Sequence, residues 1–201
     1  MSLRVLRHVL VGAFVALPVL FFSLMQSGAR ASALSAADQE GIEKSLRAFH
    51  EVASVLTSPR CLNCHVPDDG PLQGDDNHPH PMNVKRGPDG KGSPTLHCFA
   101  CHQSENAKAL HGPPGAADWQ LPPTKTPMAW KGLSISQLCL TLKDPAKNGN
   151  RSLQDLIGHM DTSLVRWAWN PGPGRTLPPL SHDEFVSRLK EWIDTGAACP
   201  N

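Results

Sequence analysis

Apolar residues recur at three- and four-residue steps in three stretches of this 201-residue chain, and polar segments rich in Pro and Gly separate them. Ile42, Leu46, Phe49, Ala53 and Leu56 make one stripe, which predicts a helix over residues 36–57 that stops before Pro59. Ser134-Ile135-Ser136-Gln137 opens a short helix as a capping box, and Asp144-Pro145 closes it. After a turn at Asn148-Gly149-Asn150, Ser152 starts a longer helix through about Trp167, with Leu153, Leu156, Ile157, Met160 and Leu164 on one face. Ser181 and Glu184 cap a last helix whose stripe is Phe185, Leu189, Trp192 and Ile193 and which ends at Gly196. Residues 66–95 and 112–126 show no periodicity and read as ordered loops, and no strand-like alternation of useful length occurs. The expected fold is mostly α and loop-rich.

A fourth apolar stretch, Val9 to Met25, follows the basic start Arg4, Arg7 and His8 and precedes the small-x-small sequences Ala29-Arg30-Ala31 and Ala31-Ser32-Ala33. That is the layout of an export signal cleaved near Leu34, so residues 1–33 are read as a signal peptide and 34–201 as the mature domain. An uncleaved anchor needs about 20 apolar residues, and this run is shorter and broken by Pro18. Removing Arg4, Arg7 and Arg30 from 19 Lys+Arg leaves 16 against 18 Asp+Glu, a formal charge of −2. Such a balance gives no basic surplus for nucleic acid, and no second stretch suggests a membrane span.

With no Tyr, 5% aromatics, 19 Pro and 16 Gly, the chain lacks the material of a conventional layered core. The cysteines indicate what replaces it. Cys61-Leu-Asn-Cys64-His65 and Cys98-Phe-Ala-Cys101-His102 are two copies of Cys-x-x-Cys-His, the attachment signal for c-type haem. Each cysteine pair forms thioethers to haem vinyl groups, and the following histidine ligates iron. Cys61, Cys64, Cys98 and Cys101 would thus hold two haems, with His65 and His102 as proximal ligands. Two cysteine pairs also suit a structural zinc site, but zinc gives no reason for a histidine after both. Two porphyrins supply the flat apolar surface that the composition lacks, so the expected architecture is a single dihaem cytochrome c domain organised around them. Cys139 and Cys199 remain, and in the oxidising compartment that export implies an even pair reads as a disulfide.

A six-coordinate haem needs a distal ligand, usually His or Met. His80, in the Pro-restricted run His78-Pro-His80-Pro-Met82, is the first choice for the first haem, with His78 and Met82 as alternatives. For the second haem His159 leads and Met128 follows, while Met160 reads as core. His50 and His97 read as a solvated side chain and a local contact. Trp119, Trp130, Trp167 and Trp169 are placed to pack on porphyrin. Asp68, Asp69, Asp75 and Asp76 lack the spacing of a calcium loop and read as a solvated docking face.

From about Arg60 to Pro200 the chain resembles the small dihaem c-type cytochromes that serve as cytochrome subunits of isoquinoline 1-oxidoreductase-like molybdenum hydroxylases. The resemblance rests on Arg60-Cys-Leu-Asn-Cys-His65, Gln73-Gly-Asp-Asp76 with Asn83-Val-Lys-Arg-Gly87, Met128-Ala-Trp130, Leu142-Lys-Asp-Pro145, and His159-Met160 followed by Trp167-Ala-Trp169. It implies a periplasmic electron carrier, not itself an enzyme, between a dehydrogenase and a downstream acceptor. The alternatives are a dihaem peroxidase or a haem sensor with one open coordination site. Peroxidases resemble two fused cytochrome domains with distant motifs, whereas 33 residues, 65 to 97, separate Cys64 from Cys98 here.

Overall fold

Ser35 sets the start of the first helix: its hydroxyl accepts from the Asp38 N–H at 3.2 Å while the Asp38 carboxylate accepts from the Ser35 N–H, closing a capping box. Helix α1 runs Ala36–Leu56 and ends before the Ser58-Pro59 step, after which α2, Pro59–Leu62, carries the first cysteine. The computed structural model describes residues 34–201, in which Ser35–Asn201 forms one compact unit. The expected signal peptide lies outside the described residues. Among the described residues no helix is long and apolar enough to cross a membrane.

The remaining helices are α3, Ile135–Lys143, α4, Leu153–His159, α5, Ser163–Arg166, and α6, His182–Asp194. The fold is mostly helical, as the periodicity predicts. Capping boxes at Ser134/Gln137, Ser152/Asp155 and Ser181/Glu184 start α3, α4 and α6. Among the described residues strand structure is limited to two-residue ladders: β1, Leu72–Gln73, pairs antiparallel with β2, His78–Pro79, and β3, Gly92–Ser93, with β4, Leu96–His97.

The core joins α1 and α6. Phe49 and Trp192 are both fully buried with ring centres 5.0 Å apart, and Phe185 and Leu189 extend the same face. The stripe on α1 is wider than the sequence suggests, because Ser45, Ala48, Val52 and Val55 are buried too while Ile42 is exposed. Ser45 earns its buried place by hydrogen bonding: its hydroxyl donates to the Trp192 carbonyl at 3.1 Å and accepts from the Ala198 N–H at 2.9 Å.

The helix expected over residues 152–167 is broken. Met160, Asp161 and Thr162 each donate to the carbonyl three residues back, and the Thr162 hydroxyl also donates to the His159 carbonyl at 3.0 Å. Tightened turns and a competing hydroxyl end α4 at His159, and Thr162 then caps α5. The last helix likewise ends at Asp194, two residues before Gly196, whose φ of +100° suits the reversal.

Cys139 and Cys199 are disulfide-bonded with Cα atoms 5.6 Å apart, joining α3 to the segment after α6. The closed loop spans a sequence separation of 60, so replacing both cysteines with serine is expected to cost about 2–4 kcal/mol. A lowered denaturant midpoint with a raised m-value, as the freed chain expands when unfolded, checks this, and an unchanged midpoint contradicts it.

Residues 66–97 form an ordered loop around one side chain. Arg86, 1% exposed, donates to the carbonyls of Val66 at 2.8 Å, Asp68 at 2.9 Å and Pro122 at 2.7 Å. Gly90 has φ +86°, and a Cβ there would strike the Leu121 carbonyl, while the Leu121 N–H donates to Gly90 at 2.8 Å. This close approach holds residues 121–123 against the loop and helps wall the cavities described next.

Candidate functional site

The two Cys-x-x-Cys-His segments fold alike. In the first, Cys64 and His65 donate to the Cys61 carbonyl at 3.2 and 3.1 Å. In the second, Cys101 and His102 donate to the Cys98 carbonyl at 3.2 and 2.9 Å. The same tight backbone turn carries both cysteines and the histidine of each motif; each motif lines a cavity, and Cys64 lines both.

Each motif histidine is oriented in the same way. His65 donates from Nδ1 to the Met128 carbonyl at 2.8 Å, and its ring stacks on Trp130 with centres 3.4 Å apart and planes 2° from parallel. His102 donates from Nδ1 to the Pro114 carbonyl at 2.7 Å and stacks on Trp119 at 4.5 Å and 4°. A carbonyl can only accept, so the proton sits on Nδ1 and the Nε2 lone pair is free for a metal. Burial pushes the His65 pKa down to about 4 and lowers that of His102, which keeps both rings in the neutral, ligating form.

The first cavity, about 440 Å³, is lined by Cys61, Cys64 and His65 together with Met128, His159 and Met160. The second, about 500 Å³, is lined by Cys98, Cys101 and His102 together with His78, His80 and Met82. Both volumes fall within the ligand-pocket range of about 300–1,000 Å³.

The pairing of the distal candidates is therefore exchanged relative to expectation. His80, expected at the first motif, stands with His102 of the second: their ring centres are 6.1 Å apart. Two imidazoles facing each other across one metal ion, each nitrogen about 2 Å from it, have ring centres about 6 Å apart. His80 also donates from Nδ1 to the Pro81 carbonyl at 2.9 Å, so its Nε2 is free in turn. The cause is the loop, which folds residues 78–82 away from the motif they follow and over the one they precede.

His159, expected at the second motif, lines the cavity of the first, where burial followed by Arg151 lowers its pKa to about 4. Met128 lies at the first motif too; its carbonyl holds His65 and its sulfur sits 4.0 Å from an Arg151 nitrogen. His78 has both ring nitrogens engaged, by Asp76 at 2.6 Å and Gln73 at 2.9 Å, and Met82 is 64% exposed. Neither competes with His80. Met160 is buried core that also reaches the first cavity. His50 is exposed and His97 stacks on Phe99.

The residues present fit haem better than zinc. Among the described residues no three His, Cys, Asp or Glu side chains converge as a metal-ion cluster, so the four cysteines do not form a tetrathiolate. Burial raises the Cys61 and Cys64 pKa values to about 12 and about 11, so both thiols are uncharged.

Three arginines were given no role from the sequence, although Arg60 and Arg86 stand in segments that carry the resemblance. Arg86 builds the loop, as described above. Arg60 lines both cavities, its side chain 1% exposed and paired with Asp75, and Arg175 lines the second cavity. Asp75, read as part of a solvated face, is engaged within the fold: besides Arg60 it accepts from the Thr176 N–H at 3.1 Å. Asp76 is held by His78, and the Asp68 and Asp69 carbonyls accept from Arg86. The position of Arg60 directly before Cys61 was the one available signal; the carbonyls of Pro114 and Met128 left none.

No family model matches this chain, and no curated protein or solved structure was found to be similar to it.

Proposed function

We propose that this chain is a periplasmic dihaem c-type cytochrome that passes single electrons between an oxidoreductase and a downstream acceptor. The observation that carries the reading is the site built twice: a Cys-x-x-Cys-His turn, an imidazole locked by a backbone carbonyl and stacked on a tryptophan, and a second histidine lining the same cavity. Haem iron supplies a one-electron couple whose potential the axial ligands and burial adjust.

The chain's own residues do the rest. The cysteines anchor, His65 and His102 ligate from one side, and His159 and His80 complete the two sites from the other. Holding the same ligands in both oxidation states keeps rearrangement small when an electron arrives or leaves. Arg60, Cys64, Leu121 and Trp167 line both cavities, so the two centres meet at a common wall and an electron has a short path between them. The Cys139–Cys199 disulfide supports an oxidising compartment. The sequence resemblance makes a molybdenum hydroxylase-type dehydrogenase the donor to test first.

Expressed with c-type maturation, the protein is expected to give a pyridine haemochrome of two covalent haems per chain. Cys61→Ala with Cys64→Ala should halve it. Stoichiometric zinc with no covalent haem would overturn the reading.

A further inference from the structure

Arg60 is an expensive residue to keep where it is. Its side chain is 1% exposed, one terminal nitrogen binds the Gly74 carbonyl and Asp75, and its Nε is buried with no hydrogen-bond partner. Burial lowers its pKa, with Asp75 the largest opposing influence, so the surroundings do not fully compensate the charge. Its partner Asp75 is itself 38% exposed and also occupied by the Thr176 N–H. Of the four residues that line both cavities, Arg60 is the charged one; Cys64, Leu121 and Trp167 are the others.

We propose that Arg60 sets the reduction potentials of both haems, as a fixed positive charge in the wall between them. The inference rests on the dihaem reading and goes beyond it by assigning a role to a residue that ligates nothing. Adding an electron to either centre lowers the positive charge next to a guanidinium that cannot move away or lose its proton, so the reduced form gains. Burial spares the interaction the salt screening that weakens surface charges. Anionic propionates of either haem would meet the same cation, which gives the uncompensated guanidinium its counter-charge.

The other arginines supply contrasts. Arg151 lines the first cavity alone and Arg175 the second alone. Arg151 donates to the Asn148 carbonyl at 3.0 Å, and Arg175 donates to the carbonyls of Pro171 and Gly112. Each therefore acts on one centre and Arg60 on both.

Potentiometric titration of the holoprotein, followed by haem absorbance, tests this. Arg60→Gln is expected to shift both one-electron steps about tenfold toward the oxidised form, about 59 mV each. Arg60→Lys, which keeps the charge, should recover most of the shift. Arg151→Gln and Arg175→Gln should each move one step. If Arg60→Gln retains two haems with unchanged axial-ligand spectra yet moves neither step, or one alone, the proposal fails. Should that variant not fold, Asp75→Asn keeps the guanidinium and removes its partner, and both potentials should then rise; no rise at the first motif's haem overturns the proposal. A wild-type protein without covalent haem would strike the dihaem reading itself, an outcome distinct from either of these.

Discussion

A chain carrying His80→Ala is expected to lose the sixth ligand at one haem of two, and the affected haem is the one attached to Cys98 and Cys101. The 6.1 Å between the His80 and His102 ring centres is the spacing of two imidazoles facing each other across one metal ion, and both rings have Nδ1 tied to a carbonyl. Of the other histidines and the methionine that line that cavity, His78 is engaged at both nitrogens, and His97, His111 and Met82 are exposed. Half of the reduced haem should then show a five-coordinate, high-spin spectrum and take up carbon monoxide, which returns it to low spin, while the wild type binds little. His159→Ala should do the same to the other haem. The assignment is checked in a background lacking Cys61 and Cys64, where one haem remains. There His80→Ala should convert all of it and His159→Ala none; the reverse outcome would restore the pairing that sequence order suggests.

That pairing illustrates what a sequence can transmit. Helix starts were legible because capping is local: Ser134 with Gln137 and Ser181 with Glu184 are three residues apart in the chain and bonded in space. The Cys139–Cys199 bond followed from parity and compartment. The Cys-x-x-Cys-His turns are local too, so sulfurs and imidazole were grouped correctly. What failed depended on how the loops return. His80 lies 15 residues after His65 and 22 before His102, and nearness along the chain points to the first motif, whereas the fold sets it in the cavity that His102 lines. The break after His159 was hidden because Leu164 continues the apolar period through it, while the Thr162 hydroxyl that stops the helix carries no periodic signal.

Arg86 shows the same limit at the level of stability, and Arg86→Leu is expected to be the most damaging single change outside the motifs. An arginine between Lys85 and Gly87 in a Pro- and Gly-rich segment reads as solvated, yet it is 1% exposed. Its fork joins the Val66 and Asp68 carbonyls, at the exit of the first motif, to the Pro122 carbonyl 36 residues away. No helix or long strand does that work here; besides the two-residue ladders the loop has single ties such as the Leu121 N–H to the Gly90 carbonyl and the Thr124 hydroxyl to the Gly87 carbonyl. Leucine would leave the buried Val66 carbonyl unpaired at about 1–3 kcal/mol and remove the donor from the part-buried Asp68 and Pro122 carbonyls at less each, a total of about 3 kcal/mol. Arg86→Lys should recover part of this, because an ammonium keeps the charge without the planar fork that reaches both sides. The loop that Arg86 holds also carries His80, so the loss should reach the site. Thermal unfolding of the holoprotein should begin far below wild type, and the second haem should turn high-spin before the first. A variant that keeps both its melting temperature and two low-spin haems would show that the loop is held by something other than this guanidinium.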